Sequence, residues 1–82
     1  MSSDDDGVHG HIECRLGALL AERDMTMTEL SRRTGITMAN LSILKNNHAK
    51  AVRMHTLVLI CEALKVTPGE ILVLKPGAQA DQ

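Results

Sequence analysis

One six-residue pattern occurs three times in this chain: an apolar residue, a Thr, two further residues, a side chain able to reach back, and a second apolar residue. The copies are Met25-Thr26-x-x-Glu29-Leu30, Ile36-Thr37-x-x-Asn40-Leu41 and Val66-Thr67-x-x-Glu70-Ile71. A Thr hydroxyl accepts a hydrogen bond from an otherwise unpaired N–H in the first turn of a helix. A Glu three residues on can return a bond to the cap residue, and the flanking apolar pair closes a staple over the turn. The pattern predicts helices starting near residues 27, 38 and 68. The third has Pro68 at its first helical position, where a missing N–H costs nothing.

Two amphipathic segments add to these. Ile12, Leu16, Leu19 and Leu20, with Ala21 and Arg23 beyond, have helical spacing and predict a helix over about 13–23. Leu57, Ile60, Cys61 and Leu64 predict another over about 54–65. The chain has 82 residues and no Phe, Trp or Tyr, so it forms one domain with a modest core of Leu, Ile, Val, Met, Ala and Cys. The expected class is an all-α, compact five-helix domain over residues 11–75, with room for a short terminal β-strand and with flexible tails at 1–10 and 76–82. Two short runs, VHGHIEC and EILVLK, are β-compatible and can pair with each other or with a second subunit.

The net charge of −1 is unevenly spread. Residues 1–13 hold Asp4, Asp5, Asp6 and Glu13 and no Lys or Arg, whereas Cys14 to Lys75 hold all nine basic residues against Glu22, Asp24, Glu29, Glu62 and Glu70, a balance of +4. The longest apolar run, Leu57 to Cys61, is far short of the roughly 20 residues of a membrane span, and Met1 is followed by acids, so a soluble cytoplasmic protein is expected. Cys14 and Cys61 are read as reduced, buried, small apolar residues.

Gly35 can take the left-handed conformation that ends a helix, and Ile36-Thr37 then restart the chain almost at once. A three-residue, Gly-containing turn between two short helices is the local geometry of a helix-turn-helix. The stretch Met25 to Asn47, MTMTELSRRTGITMANLSILKNN, resembles the DNA-binding helix-turn-helix of the Cro and phage-repressor family, also called the Xre family. The match includes Thr26, Glu29-Leu30, the small Ser31, Gly35, Ile36, Thr37, Leu41 and Leu44. It extends from Ile12 to about Leu74 through LLAER, HTLVLICEAL and VTPGEIL, and is strongest to the short single-domain subgroup.

The resemblance implies sequence-specific binding of double-stranded DNA by a transcriptional regulator, expected to be a repressor. Leu30, Leu41 and Leu44 would point inward, and Ser31 would let the two motif helices approach. The early outward positions of the second helix enter the major groove in such proteins, so base contacts are expected from Met38, Ala39, Ser42 and Ile43, with Asn40 and Asn46 as polar candidates. Family members often place Arg, Gln or Lys where this chain has Met38 and Ile43, and Gln where it has Met27. Apolar side chains there can pack on thymine methyl groups, and Ser42 or Asn40 can bond base edges.

Affinity must then come from phosphate contacts, expected from Arg32, Arg33, Lys45, Lys50 and Arg53, with Met27, Thr28 and Thr37 at the helix starts. His48 and His55 can add charge at lower pH. Asn47 stands where the family usually has Gly, at a position expected to be left-handed, which Asn tolerates.

A homodimer is the expected working form, because a monomer this small reads few base pairs and a twofold protein matches a palindromic site. The rival is an antitoxin or anti-repressor whose apolar Met38 and Ile43 dock on a protein partner. His9, His11 and Cys14 have metal-ligating side chains close together, but no fourth ligand is evident, so no metal or cofactor is expected. No catalytic arrangement of Ser, His, Asp or Cys can be placed on one face, and no Gly-rich phosphate loop occurs, so no enzymatic activity is expected.

Overall fold

The computed structural model describes residues 10–77, and the expected tails lie outside this range apart from Gly10, Pro76 and Gly77. The order of elements is β1 (His11–Cys14), α1 (Leu16–Glu22), α2 (Met27–Thr34), α3 (Met38–Lys45), α4 (Met54–Leu64), α5 (Pro68–Ile71) and β2 (Leu72–Lys75).

The three Thr caps set three of these helix starts. Thr26 Oγ1 accepts from the Glu29 N–H at 3.0 Å, and Thr37 Oγ1 accepts from the Asn40 N–H at 3.1 Å. At α5 the Glu makes the return bond, with the Thr67 N–H donating to Glu70 Oε1 at 2.7 Å. Near the end of α1, Arg23 Nε donates to the Leu64 carbonyl at 2.6 Å, satisfying one of the orphan carbonyls at the C-terminus of α4.

The five helices are as expected, with a small two-stranded sheet beside them, and it is the start of the first helix that needs a correction. Residues 11–14 do not begin a helix at 13; they form β1, which pairs antiparallel with β2 in the register His11↔Lys75, Ile12↔Leu74, Glu13↔Val73 and Cys14↔Leu72. The local reason is that Arg15, at the N-cap of α1, makes no side-chain cap bond. The tertiary reason is that its N–H donates to the Ile71 carbonyl at 2.7 Å, so the chain enters α1 from the sheet. Ile12, whose spacing fits a helical apolar stripe, stands on the strand and is 56% exposed. The β-compatible runs thus pair within the chain, and Glu70-Ile71 of the second run stay in α5.

Every side chain of the core is aliphatic. Leu16, Leu30, Leu41, Ile60 and Ile71 are fully buried, joined by Leu64, and no polar or charged residue is buried among the described residues. α2 packs on α3 and α4, α1 on α3, and α5 continues directly into the sheet. Cys14 and Cys61 are free and half-buried, and both pack against the core. Burial pushes both thiols up from their ordinary range, with Glu70 and Glu62 adding to the effect at Cys61, so neither is a thiolate at neutral pH. No helix among the described residues is long and apolar enough to cross a membrane.

Candidate nucleic-acid interface

The turn between α2 and α3 is held by small polar side chains. Gly35 takes φ 79° and ψ 2°, a left-handed conformation, and its N–H donates to the Ser31 carbonyl at 2.8 Å. The Ser31 hydroxyl donates to the Ile36 carbonyl at 2.6 Å. Ser31 is thus a strut across the turn as well as a small residue that allows close approach. Thr34, which no sequence pattern singles out, donates to the Leu30 carbonyl at 2.8 Å and accepts from the Ile36 N–H at 3.1 Å. These side-chain bonds between Leu30 and Ile36 leave the turn little freedom, so α3 is presented in one orientation.

Leu41 and Leu44 anchor the inner side of α3 in the core. The 3.6-residue period then places Met38, Ala39, Ser42, Ile43 and Asn46 outward, with Asn40 beside them. Met38 and Ile43 are 45% and 46% exposed, large apolar side chains left facing solvent. Ser42 is half-buried, and its hydroxyl accepts from Asn46 Nδ2 at 3.4 Å, which couples the two polar candidates. A groove of about 440 Å³ is lined by Asn40 and Ile43 together with His48, Lys50, Arg53 and Thr56. Two expected phosphate cations and one His therefore lie next to the candidate reading face.

The remaining phosphate candidates behave differently from one another. Thr28 and Thr37 are exposed at the starts of α2 and α3, whereas Met27 is half-buried and packs on the core, which leaves its backbone N–H as the group it offers. Lys45 lies along α1: a Cβ placed on Gly17 would meet Lys45 Cε at 3.3 Å, so the missing side chain at Gly17 makes room for the Lys45 stem. His55 is exposed on α4.

Arg32 and Arg33 both bond to Glu29. Arg32 holds it with two bonds, Nε to Oε1 at 3.2 Å and Nη2 to Oε2 at 2.6 Å, and Arg33 Nε donates to the same Oε2 at 2.6 Å. The expected return bond from Glu29 to the Thr26 N–H gives way to these pairs. Arg32 and then Arg33 hold the Glu29 carboxyl below the usual carboxylate range.

Asn47 takes the left-handed conformation at φ 63°, and its Oδ1 accepts from the Cys14 N–H at 2.6 Å. The side chain thereby ties β1 to the segment that follows α3, a role a Gly could not supply. Asn47→Ala is expected to lower stability by about 2 kcal/mol, from a left-handed cost of about 1–2 kcal/mol and a lost bond worth about 0.5–1.5 kcal/mol. Asn47→Gly keeps the geometry and should lose only about 1 kcal/mol. Urea denaturation of the two variants measures the difference, and equal losses would show that backbone strain plays no part.

His11 and Cys14 stand three apart on a strand and so project to opposite faces of the sheet, an arrangement that does not converge on a metal ion. His9, the other member of that trio, lies outside the described residues.

A capped helix, a tight Gly turn and a second capped helix with a free outer face are thus mounted on an aliphatic helical core. The profile of the Cro/C1-type HTH DNA-binding domain family matches residues 15–77, and the chain belongs to that family. It is 61% identical over 57 residues to YozG of Bacillus subtilis (strain 168), described as an uncharacterized HTH-type transcriptional regulator, across 70% of this chain and 68% of that protein. Its fold is similar to the crystal structure of the transcriptional regulator VanUg, with a TM-score of 0.68 and 29% identity, over 83% of this chain and 89% of the other. DNA binding in the regulation of transcription is accordingly the function of this protein.

Proposed function

We propose that α2 and α3 are the helix-turn-helix of a cytoplasmic, sequence-specific repressor, with residues 11–75 as the DNA-binding unit and α3 lying in the major groove. The observation that carries this reading is the exposure of Met38 and Ile43, at 45% and 46%, on a helix whose opposite side is anchored in the core. Met38, Ala39 and Ile43 pack on thymine methyl groups, while Asn40, Ser42 and Asn46 hydrogen-bond base edges. Phosphates are held by Lys50 and Arg53 along the groove, by Arg32, Arg33 and Lys45, and by the helix starts at Met27, Thr28 and Thr37.

The working form in this reading is a homodimer on a palindromic site. Ile12 and Leu74, opposite each other on the sheet and 56% and 70% exposed, are apolar side chains that a second copy would cover.

The test is selection of bound sites from a random double-stranded DNA pool at two salt concentrations. The expected result is a palindromic site rich in thymine at the contacted positions, bound less tightly as salt rises. A folded protein that enriches no site would overturn the reading.

A further inference from the structure

Arg32 and Arg33 each use a guanidinium on one carboxylate, and Arg32 does so through two N–H groups, the same fork it would present to a phosphate. No other carboxylate among the described residues bonds either side chain. The three side chains remain reachable from solvent, Arg32 at 70%, Arg33 at 50% and Glu29 at 30% exposure, so a phosphate can compete for the arginines. As long as the carboxylate holds them, the pair offers DNA a net charge of +1 instead of +2.

We propose that Glu29 is an internal stand-in for phosphate that limits the affinity of this protein for DNA of any sequence. The inference rests on the DNA-reading assignment above. Its consequence is for overall affinity. An apolar reading face supplies a modest sequence-dependent gain, so the phosphate contacts carry most of the affinity for every duplex, and a carboxylate that occupies two of their arginines sets how tightly and how long any DNA is held. Each phosphate that takes an arginine must displace the carboxylate, and this exchange lowers binding to random and specific duplexes alike. The bond that caps α2 uses the backbone N–H of Glu29, so changing its side chain leaves that cap in place.

The experiment measures binding of a random-sequence duplex and of the selected duplex across a salt series, for the wild type, Glu29→Gln, Arg32→Ala/Arg33→Ala and the triple variant. Thermal unfolding checks each fold, and Glu29→Ala serves as a second variant. Glu29→Gln is expected to bind the random duplex several-fold tighter at low salt. Its salt slope should steepen by about 0.9 for each additional phosphate that the freed arginines neutralise, and the ratio of specific to random affinity should stay near that of the wild type, because phosphate contacts serve both duplexes equally. Without the two arginines, Glu29→Gln should change binding by less than about two-fold, because the groups it frees are gone. No gain from Glu29→Gln, or the same gain in the arginine-free background, overturns the inference while leaving DNA binding intact. A wild type that binds no duplex in a salt-dependent way overturns the DNA reading itself, and the inference with it.

Discussion

Ile43→Glu is expected to abolish specific DNA binding, lowering affinity for the selected site roughly a hundred-fold or more, while far-UV helicity and the melting transition stay nearly unchanged. Ile43 is 46% exposed, so the folded protein gains a solvated charge and loses little packing, and surface changes of this kind cost within about 0.5 kcal/mol. In the proposed complex the same carboxylate is pressed against the thymine methyl groups that Ile43 covers and stripped of water without a partner, a penalty of several kcal/mol. Fluorescence anisotropy with the selected duplex, run beside thermal unfolding, makes the comparison. A variant that binds normally removes Ile43 from the reading face, and one that unfolds removes it from the surface.

Two residues away on the same helix the expectation reverses. Leu41→Ala should destabilise the domain by about 2–5 kcal/mol, since Leu41 is fully buried and its removal leaves a cavity as well as a lost transfer term. A single-core domain this small holds roughly 3–5 kcal/mol in reserve, so the melting temperature should fall by about 10 °C or more. DNA binding would be lost as well, but with the fold, and calorimetry distinguishes the two failures. A melting temperature unchanged by Leu41→Ala would mean that the inner side of α3 is misassigned.

Much of this contrast is legible in the sequence. The outward set Met38, Ala39, Ser42 and Ile43 and the inward pair Leu41 and Leu44 follow from helical period once the cap at Thr37 fixes where α3 starts. The pairing of Glu29 with Arg32 and Arg33 also carries a local signal, since residues three and four apart on a helix are neighbours. The capping box makes a rival claim on the same carboxylate, and the two guanidinium groups prevail over one backbone N–H. Ser31 reads as small in the sequence, but its bond to Ile36 depends on the path of the turn it braces.

The features that local chemistry settled all involve groups within a few residues of each other. The starts of α2, α3 and α5, the left-handed Gly35 and the left-handed Asn47 depend on hydrogen bonds and backbone sterics that the chain meets at close range. The segment from Ile12 to Cys14 had no such arbiter, because its apolar spacing suits a helix and a strand alike. β2, far along the chain (Cys14↔Leu72), supplied the ladder that chose the strand. The partner of Asn47 at Cys14 and the resting place of Lys45 over Gly17 were settled in the same way. Each depends on which surface the folded core brings alongside, and that proximity exists only after the aliphatic residues of α1, α3, α5 and β2 have packed together.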